Sequence, residues 1–326
     1  MQYREFSNLG WKVSEIGIGC WAIGSEWGDV SETDAKEALY TSLDNGINFF
    51  DTADVYGDGR SEKFIGDILK NTKDKIYVAT KTGRRLTPHN ADGYNIQNIE
   101  NFIDRSLLNL GVEVIDLVQL HCPPTEICGK VETYQMMDEL VLKGKIKHYG
   151  VSVEKVSEAM DAIKFPNVKS IQIIFNIFRQ KPCEQFFKEA KKNNVAIIVR
   201  VPLASGLLTG KMNLNSSFPT NDHRNYNIKG EAFDVGETFS GVDFQKGLIA
   251  VEELKKILPN NFSLTDLALK WILSHNEVTV VIPGAKNKLQ AQLNSKATDL
   301  HDIDNLEDEI VNIYNKYFKN DIHHKW

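Results

Sequence analysis

Ile-Asn-Phe-Phe-Asp (47–51) ends an apolar run on an acid, and the same kind of stop recurs downstream in Ile-Tyr-Val-Ala-Thr-Lys (76–81), Ile-Asp-Leu-Val-Gln-Leu-His (115–121) and Tyr-Gly-Val-Ser (149–152). Each run reads as a buried strand, each stop as its C-terminal end, and the segments between them carry helical periodicity. In a parallel α/β barrel all such ends open at one mouth, so Asp51, Lys81 and His121, supplied by consecutive strands, converge there. Tyr56 follows Asp51 closely enough to join them. A single charged residue at a strand end is ordinarily a solvated loop residue. Several in register point to a site.

Working outward, strand-like runs fall near 16–20, 46–51, 76–81, 115–121, 146–152, 170–176, 195–201 and 278–283. This is the strand number of a (β/α)8 TIM barrel, an α/β fold. Residues 2–15 predict an N-terminal β-hairpin, with Phe6, Trp11 and Val13 as apolar contacts plugging the barrel floor, and Ile303–Tyr317 predicts a C-terminal helix. Ser31 with Asp34 reads as a capping box opening the stripe Ala35, Ala38, Leu39, Leu43, which Gly46 stops; Ile96, Ile99, Ile103, Leu107 and Leu110 repeat the pattern up to Gly111. Such stripes are helix faces packed on a core. Residues 203–243 break the alternation. Rich in Gly, Ser, Asn and Asp, they read as a structureless functional lid or linker before helices near 244–258 and 263–274. The final His-His-Lys-Trp reads as a solvated tail.

The 326 residues, 42% hydrophobic and 25% charged, suit a single domain spanning 1–326. A net charge of −6 argues against nucleic acid or an anionic membrane as a bulk partner. Cys20, Cys122, Cys128 and Cys183 form no CxxC pair, which fits a reducing compartment, and no long apolar run or signal-peptide pattern appears; a cytoplasmic location follows. The histidines show no metal-ligand spacing, so no metal is expected. A small molecule is the expected partner. The oligomeric state stays open, and a monomer is compatible with everything above.

A buried Lys81 at the mouth needs a counter-charge, which Asp51 supplies. A phenol titrates near 10, and an adjacent ammonium is expected to bring Tyr56 down toward working range as a general acid. From spacing alone, an Asp51–Lys81 pair that merely braces the barrel is an equal reading. Gly-Ile-Gly-Cys-Trp-Ala (17–22) fits the dinucleotide fingerprint G-x-G-x-x-A, but that motif needs a helix opening at once. With the next cap at Ser31, the glycines read instead as a tight strand exit.

Asp-Thr-Ala-Asp-Val-Tyr-Gly-Asp-Gly-Arg-Ser-Glu (51–62), Lys-Thr-Gly (81–83), Leu-Val-Gln-Leu-His (117–121), Gly-Val-Ser (150–152), Pro-Leu-Ala-Ser-Gly-Leu-Leu-Thr-Gly-Lys (202–211) and Val-Ile-Pro-Gly-Ala-Lys (281–286) resemble, in order and spacing, the aldo-keto reductase superfamily. The likeness covers nearly the whole chain and leans to bacterial-type members with a long loop after strand seven. The resemblance implies NADP(H)-dependent reduction of aldehydes or ketones, with Tyr56 as proton donor, Lys81 paired to Asp51 beside it, and His121 orienting the carbonyl. It places the nicotinamide carboxamide at Ser152 and Gln172, although Val153 stands where the family often has Asn. Arg200 occupies the position of a ring that stacks on the nicotinamide; a stacked guanidinium and an ion pair with a rim carboxylate are equal expectations. Leu203, Ser205, Gly206, Leu208, Gly210 and Lys211 match the pyrophosphate loop, Gly284 and Lys286 the adenosine-phosphate segment, and Gln290 and Asn294 the adenine-facing positions. Many relatives have Arg at Gln290, so the 2′-phosphate reader is expected to be Lys286, with Lys288 the next candidate and few other cations able to meet that phosphate. Trp21 and Trp27 are candidates for the substrate pocket, and Asp-His-Arg (222–224) is either a cofactor contact or a solvated tip. Some superfamily members instead serve as cofactor-binding regulatory subunits of membrane channels, a rival reading that the lack of any segment before the hairpin disfavours.

Overall fold

The computed structural model describes residues 1–301 and 303–326. Strands β1 (Tyr3–Phe6) and β2 (Trp11–Ser14) pair antiparallel, Tyr3 opposite Ser14 and Phe6 opposite Trp11. Eight parallel strands follow: β3 (Ile18–Gly19), β4 (Phe49–Asp51), β5 (Tyr77–Thr82), β6 (Ile115–His121), β7 (Ile146–Ser152), β8 (Val168–Ile174), β9 (Ala196–Arg200) and β10 (Val278–Val281), hydrogen-bonded in sequence order. The sheet closes on itself where Gly17 N donates to Val281 O at 2.8 Å and Gly19 N to Pro283 O at 3.1 Å. This is the (β/α)8 barrel, with helices outside and the hairpin across the N-terminal end.

Parity along the strands makes the core. Residues two apart face the same way, so Phe49, Ala79, Leu117, Ile198 and Val280 fill the barrel's lower interior, where Phe6 and Val13 of the hairpin pack against them. The expected floor plug is thus present. Arg4 fastens it, donating to the carbonyls of Leu273 at 2.7 Å and Val278 at 2.6 Å.

The seam depends on Gly19. A Cβ there would lie 2.7 Å from Ile282 O, closer than any side chain tolerates. The expectation that no helix follows these glycines is corrected, because one turn, Trp21–Gly24, opens immediately after Cys20. Ser31 caps Glu32–Asp44 as expected, its Oγ accepting from Asp34 N at 3.0 Å, and Gly111, at φ +65°, ends Ile96–Leu110.

Two further expectations change. The segment 203–243 carries short helices at Ala204–Thr209, His223–Tyr226, Val235–Glu237 and Phe239–Gly241. Buried polar side chains stand in for regular structure: Ser205 Oγ donates to Glu237 O at 3.1 Å and accepts from Phe239 N at 2.9 Å. Trp326 is no solvated tail. It is 6% exposed, lies 4.1 Å from the Arg179 guanidinium, and donates its indole N–H to Asp234 Oδ1 at 3.0 Å. The C-terminal helix is Glu307–Tyr317, preceded by a 3₁₀ turn, Asp304–Leu306. Among the described residues, no helix is long and apolar enough to cross a membrane.

Candidate active site

The parity that fills the floor also points Asp51, Lys81, Gln119, His121, Gln172 and Arg200 inward at the upper end. Asp51 is the hub. Its carboxylate accepts from Lys81 Nζ at 2.5 Å, Gln172 Nε2 at 2.7 Å and Gln119 Nε2 at 3.3 Å. Lys81 Nζ donates further to Thr52 O at 2.9 Å and Tyr56 Oη at 3.3 Å. Both charges are almost fully buried, and a buried ion pair is tolerable only when its remaining hydrogen-bonding capacity is met in this way.

Tyr56 arrives on the loop after β4. Gly57, at φ +59°, turns that loop so closely against Gly24 that a Cβ would lie 2.5 Å from Gly24 O. The Tyr56 ring stands perpendicular to His121, centroids 5.8 Å apart, and parallel to Trp21 at 6.0 Å. Burial, and then Asp51, push the phenol well above its usual range. The expected lowering by Lys81 is therefore corrected, because desolvation penalises the phenolate. The group stays protonated at neutral pH. Burial, followed by the charges of Arg84 and Lys81, pushes His121 well below its usual range, so its imidazole is neutral. His121 Nδ1 has no hydrogen-bond partner among the described residues.

These groups close the inner end of a cleft of about 440 Å³. Asp51, Tyr56 and His121 line it, and Lys81 lies behind them. Of the residues expected to hold a cofactor, Gln172, Arg200, Leu203, Ser205, Gly206, Lys211, Gly284, Lys286, Gln290 and Asn294 line the cleft. Ser152, Leu208 and Gly210 lie off its wall: Leu208 is fully buried in the core and Ser152 Oγ sits 3.7 Å from Cys122 Sγ. Gln172 has committed its amide nitrogen to Asp51, which leaves its carbonyl oxygen to offer a ligand. Trp21 and Trp27 both line the cleft, Trp21 with its indole N–H donated to Glu26 Oε2 at 2.6 Å.

At the outer end, Arg224 is fixed by Asp222, through Nη2 to Oδ2 at 2.6 Å and Nε to Oδ1 at 2.9 Å, with its guanidinium 4.9 Å from the Trp27 ring centroid. Lys286 Nζ donates to Trp27 O. Of the two readings of residues 222–224, the solvated tip is excluded for Asp222 and His223, which are fully buried, and Arg224 lines the cleft. The expectation that Lys286 stands with few other cations nearby is corrected by Arg224.

Arg200 makes the ion pair, with Nη2 2.8 Å from Glu154 Oε2 and Nη1 3.8 Å from Glu237 Oε2. Arg84 adds a 2.6 Å contact to Glu237 Oε1. Burial pushes the Glu154 carboxyl up, to about 7, against the opposing charge of Arg200; Glu237 lies well below the usual carboxylate range, with Arg84 and Arg200 overcoming its burial. Cys122 Sγ and these two carboxylates lie within 4.8 Å of one another, a donor set of metal-binding type. Two guanidiniums already occupy that space, and burial holds the thiol protonated. Sequence reasoning missed Arg84, Glu154 and Glu237. Arg84 directly follows the Lys-Thr-Gly motif and was findable there, whereas nothing local marks Glu237.

The aldo/keto reductase family model matches residues 15–313. An aldo-keto reductase of Bacillus subtilis is 32% identical over 91% of this chain and 89% of its own length. An NADP(+) aldo-keto reductase of Schizosaccharomyces pombe is 29% identical over 84% of this chain and 80% of its own. The solved structure of a glycerol dehydrogenase from Gluconobacter oxydans superposes with a TM-score of 0.80 at 27% identity, covering 98% of this chain and 97% of that one.

Proposed function

The chain belongs to the aldo/keto reductase family, and from there we propose that it transfers hydride from NADPH to the carbonyl carbon of an aldehyde or ketone, reversibly, with Tyr56 as proton donor. One observation carries the reading: the ends of β5 and β6 and the loop after β4 bring Lys81, His121 and Tyr56 together above the Asp51 carboxylate, at the closed end of a cleft.

The donor set of the cleft fits a phosphorylated dinucleotide. Lys211, Arg224 and Lys286 line its outer part, Ser205 and Gly206 turn their backbone at φ +53° and +97° as anion-binding loops do, and the helix Lys288–Ser295 opens beside it. When bound, the reduced nicotinamide supplies the hydride. Tyr56 Oη gives its proton to the carbonyl oxygen as negative charge develops there. Lys81, 3.3 Å away, stabilises the resulting phenolate, and Asp51 holds Lys81 charged in a buried place. Neutral His121 orients the carbonyl oxygen by hydrogen bonding. Trp21 forms an apolar wall that limits water.

The test is a panel of aldehydes and ketones with the purified protein, followed by NADPH absorbance. Several compounds should be turned over, and Tyr56→Phe should lower turnover by roughly a hundred- to ten-thousand-fold while leaving NADPH affinity similar. No turnover across the panel, or near wild-type rates in the variant, removes this reading.

A further inference from the structure

Tyr56 sits in a run of tight turns that ordinary backbone resists. Asp58 N donates to Val55 O at 3.2 Å and Arg60 N to Gly57 O at 3.1 Å, and to make these turns Gly57, Asp58 and Gly59 take φ of +59°, +53° and +88°. The glycines have no room for a side chain; a Cβ at Gly59 would lie 2.4 Å from Asn109 Nδ2. Asp58 is different. It carries a side chain through the left-handed region, where a Cβ crowds the following carbonyl, so its conformation has to be held from outside.

Two arginines hold it. Arg105, on the helix Ile96–Leu110, donates through Nη2 to Asp58 O at 2.6 Å and to Asp58 Oδ1 at 2.7 Å. Arg85 acts as a staple: Nη1 donates to Asp54 O at 3.2 Å while Nη2 lies 2.8 Å from Asp58 Oδ1, so one guanidinium spans the loop from one side of Tyr56 to the other. Arg85 leaves β5 just beyond Lys81. The staple therefore ties the Tyr56 turn to the strand that carries Lys81, whose Nζ stands 3.3 Å from Tyr56 Oη. An exposed ion pair by itself contributes little to stability, but each arginine here also grips a backbone carbonyl, and charge-assisted bonds of that kind fix geometry.

We propose that Arg85, with Arg105 supporting it at Asp58, is a positioning residue for Tyr56: together they hold the turn at Gly57, Asp58 and Gly59 left-handed and so keep the phenol beside Lys81 and His121. This rests on the reading of Tyr56 as proton donor above. Neither arginine lines the cleft, so their effect belongs to the proton-transfer step and not to the binding of either reactant.

The test is the single-turnover rate of NADPH oxidation at saturating aldehyde, with NADPH binding titrated on the same samples. Arg85→Met should slow this step by about tenfold to a hundredfold, the effect of a displaced reacting group, while NADPH stoichiometry, NADPH affinity and the aldehyde KM stay as in wild type. Arg85→Lys, whose ammonium cannot span both ends of the turn, should be slowed nearly as much. Position 58 tests the conformation itself. Asp58→Asn tolerates left-handed backbone and keeps an acceptor oxygen, and should stay close to wild type; Asp58→Gly should be slowed less than Asp58→Ala, because glycine reaches positive φ without strain. Since Asp58 is exposed, these variants carry the test even where Arg85→Met fails to fold. An undiminished rate in Arg85→Met, or equal rates in Asp58→Gly and Asp58→Ala, overturns the inference. Near wild-type rates in Tyr56→Phe sink the proton-donor reading itself, whereas a slow Tyr56→Phe beside an unaffected Arg85→Met sinks only the positioning role.

Discussion

Asp54 is fully buried, and neither carboxylate oxygen has a hydrogen-bond partner among the described residues. Burial, with Glu62 adding and Arg85 and Arg105 opposing, pushes it up to about 7. Its folded pKa therefore lies above the unfolded value near 3.9, so the native state binds the proton more tightly. Stability from this group is fully present below about pH 4 and is lost as pH rises to 7. Wild type should therefore melt at a lower temperature at pH 8.5 than at pH 6, and Asp54→Asn, neutral and nearly isosteric, should lose less over that interval. An equal pH dependence in both proteins counts against the assignment. Asp51 and Lys81 pose a different question at this scale, because a pair that only braces the barrel and a pair that works in catalysis have the same geometry. Lys81→Met strands a buried carboxylate and should cost about 3–5 kcal/mol in stability as well as stopping turnover; Asp51→Asn should reduce turnover less. The double variant separates the readings. By removing both charges it should recover much of the stability lost in Lys81→Met and none of the activity, as read by thermal melting and NADPH oxidation. Recovered activity would favour the bracing role.

At the level of elements, the sequence motif that most invites misreading is the glycine pair of residues 17–22. Its spacing matches a phosphate-binding turn, yet the space around it serves closure of the barrel: a Cβ on Gly17 would meet Phe49 O at 2.8 Å and one on Gly19 would meet Ile282 O at 2.7 Å. Backbone cannot move aside as a flexible side chain can. Gly19→Ala should therefore destabilise the protein by roughly 1–3 kcal/mol, an overpacking cost, seen as a lower denaturant midpoint. If the seam tolerates the methyl group without loss, the two-residue strand β3 is not what closes the barrel. The long connection teaches the converse. Its composition of Gly, Ser, Asn and Asp carries no periodicity, because its order comes from buried polar side chains such as Asn227, which accepts from Ala232 N and Phe233 N and donates to Thr238 Oγ1. Such contacts obey no spacing rule.

Across the whole molecule, Arg224 from the connection after β9 and Lys286 from the segment after β10 meet at the outer cleft with Trp27 between them. Burial and then the Arg224 charge push the Lys286 ammonium down, so an anion there would be held by two desolvated cations. Lys286→Ala and Arg224→Ala should each weaken NADPH binding by about tenfold to a hundredfold and NADH binding much less, when both cofactors are titrated at one salt concentration. Equal losses for the two cofactors would remove both residues from 2′-phosphate recognition. Chain-wide patterns of this kind divide what could be read early from what could not. By itself the sequence determined the barrel, its floor plug and the convergence of Asp51, Lys81 and His121, because strand parity and the parallel order place every strand end at one mouth whatever the loops do. Only the tertiary structure decided that Trp326 is buried, that burial raises the Tyr56 phenol instead of Lys81 lowering it, that Arg224 joins Lys286 and that Glu237 reaches Arg200. Those outcomes depend on desolvation and on contacts between segments remote in the chain, and no local spacing encodes either.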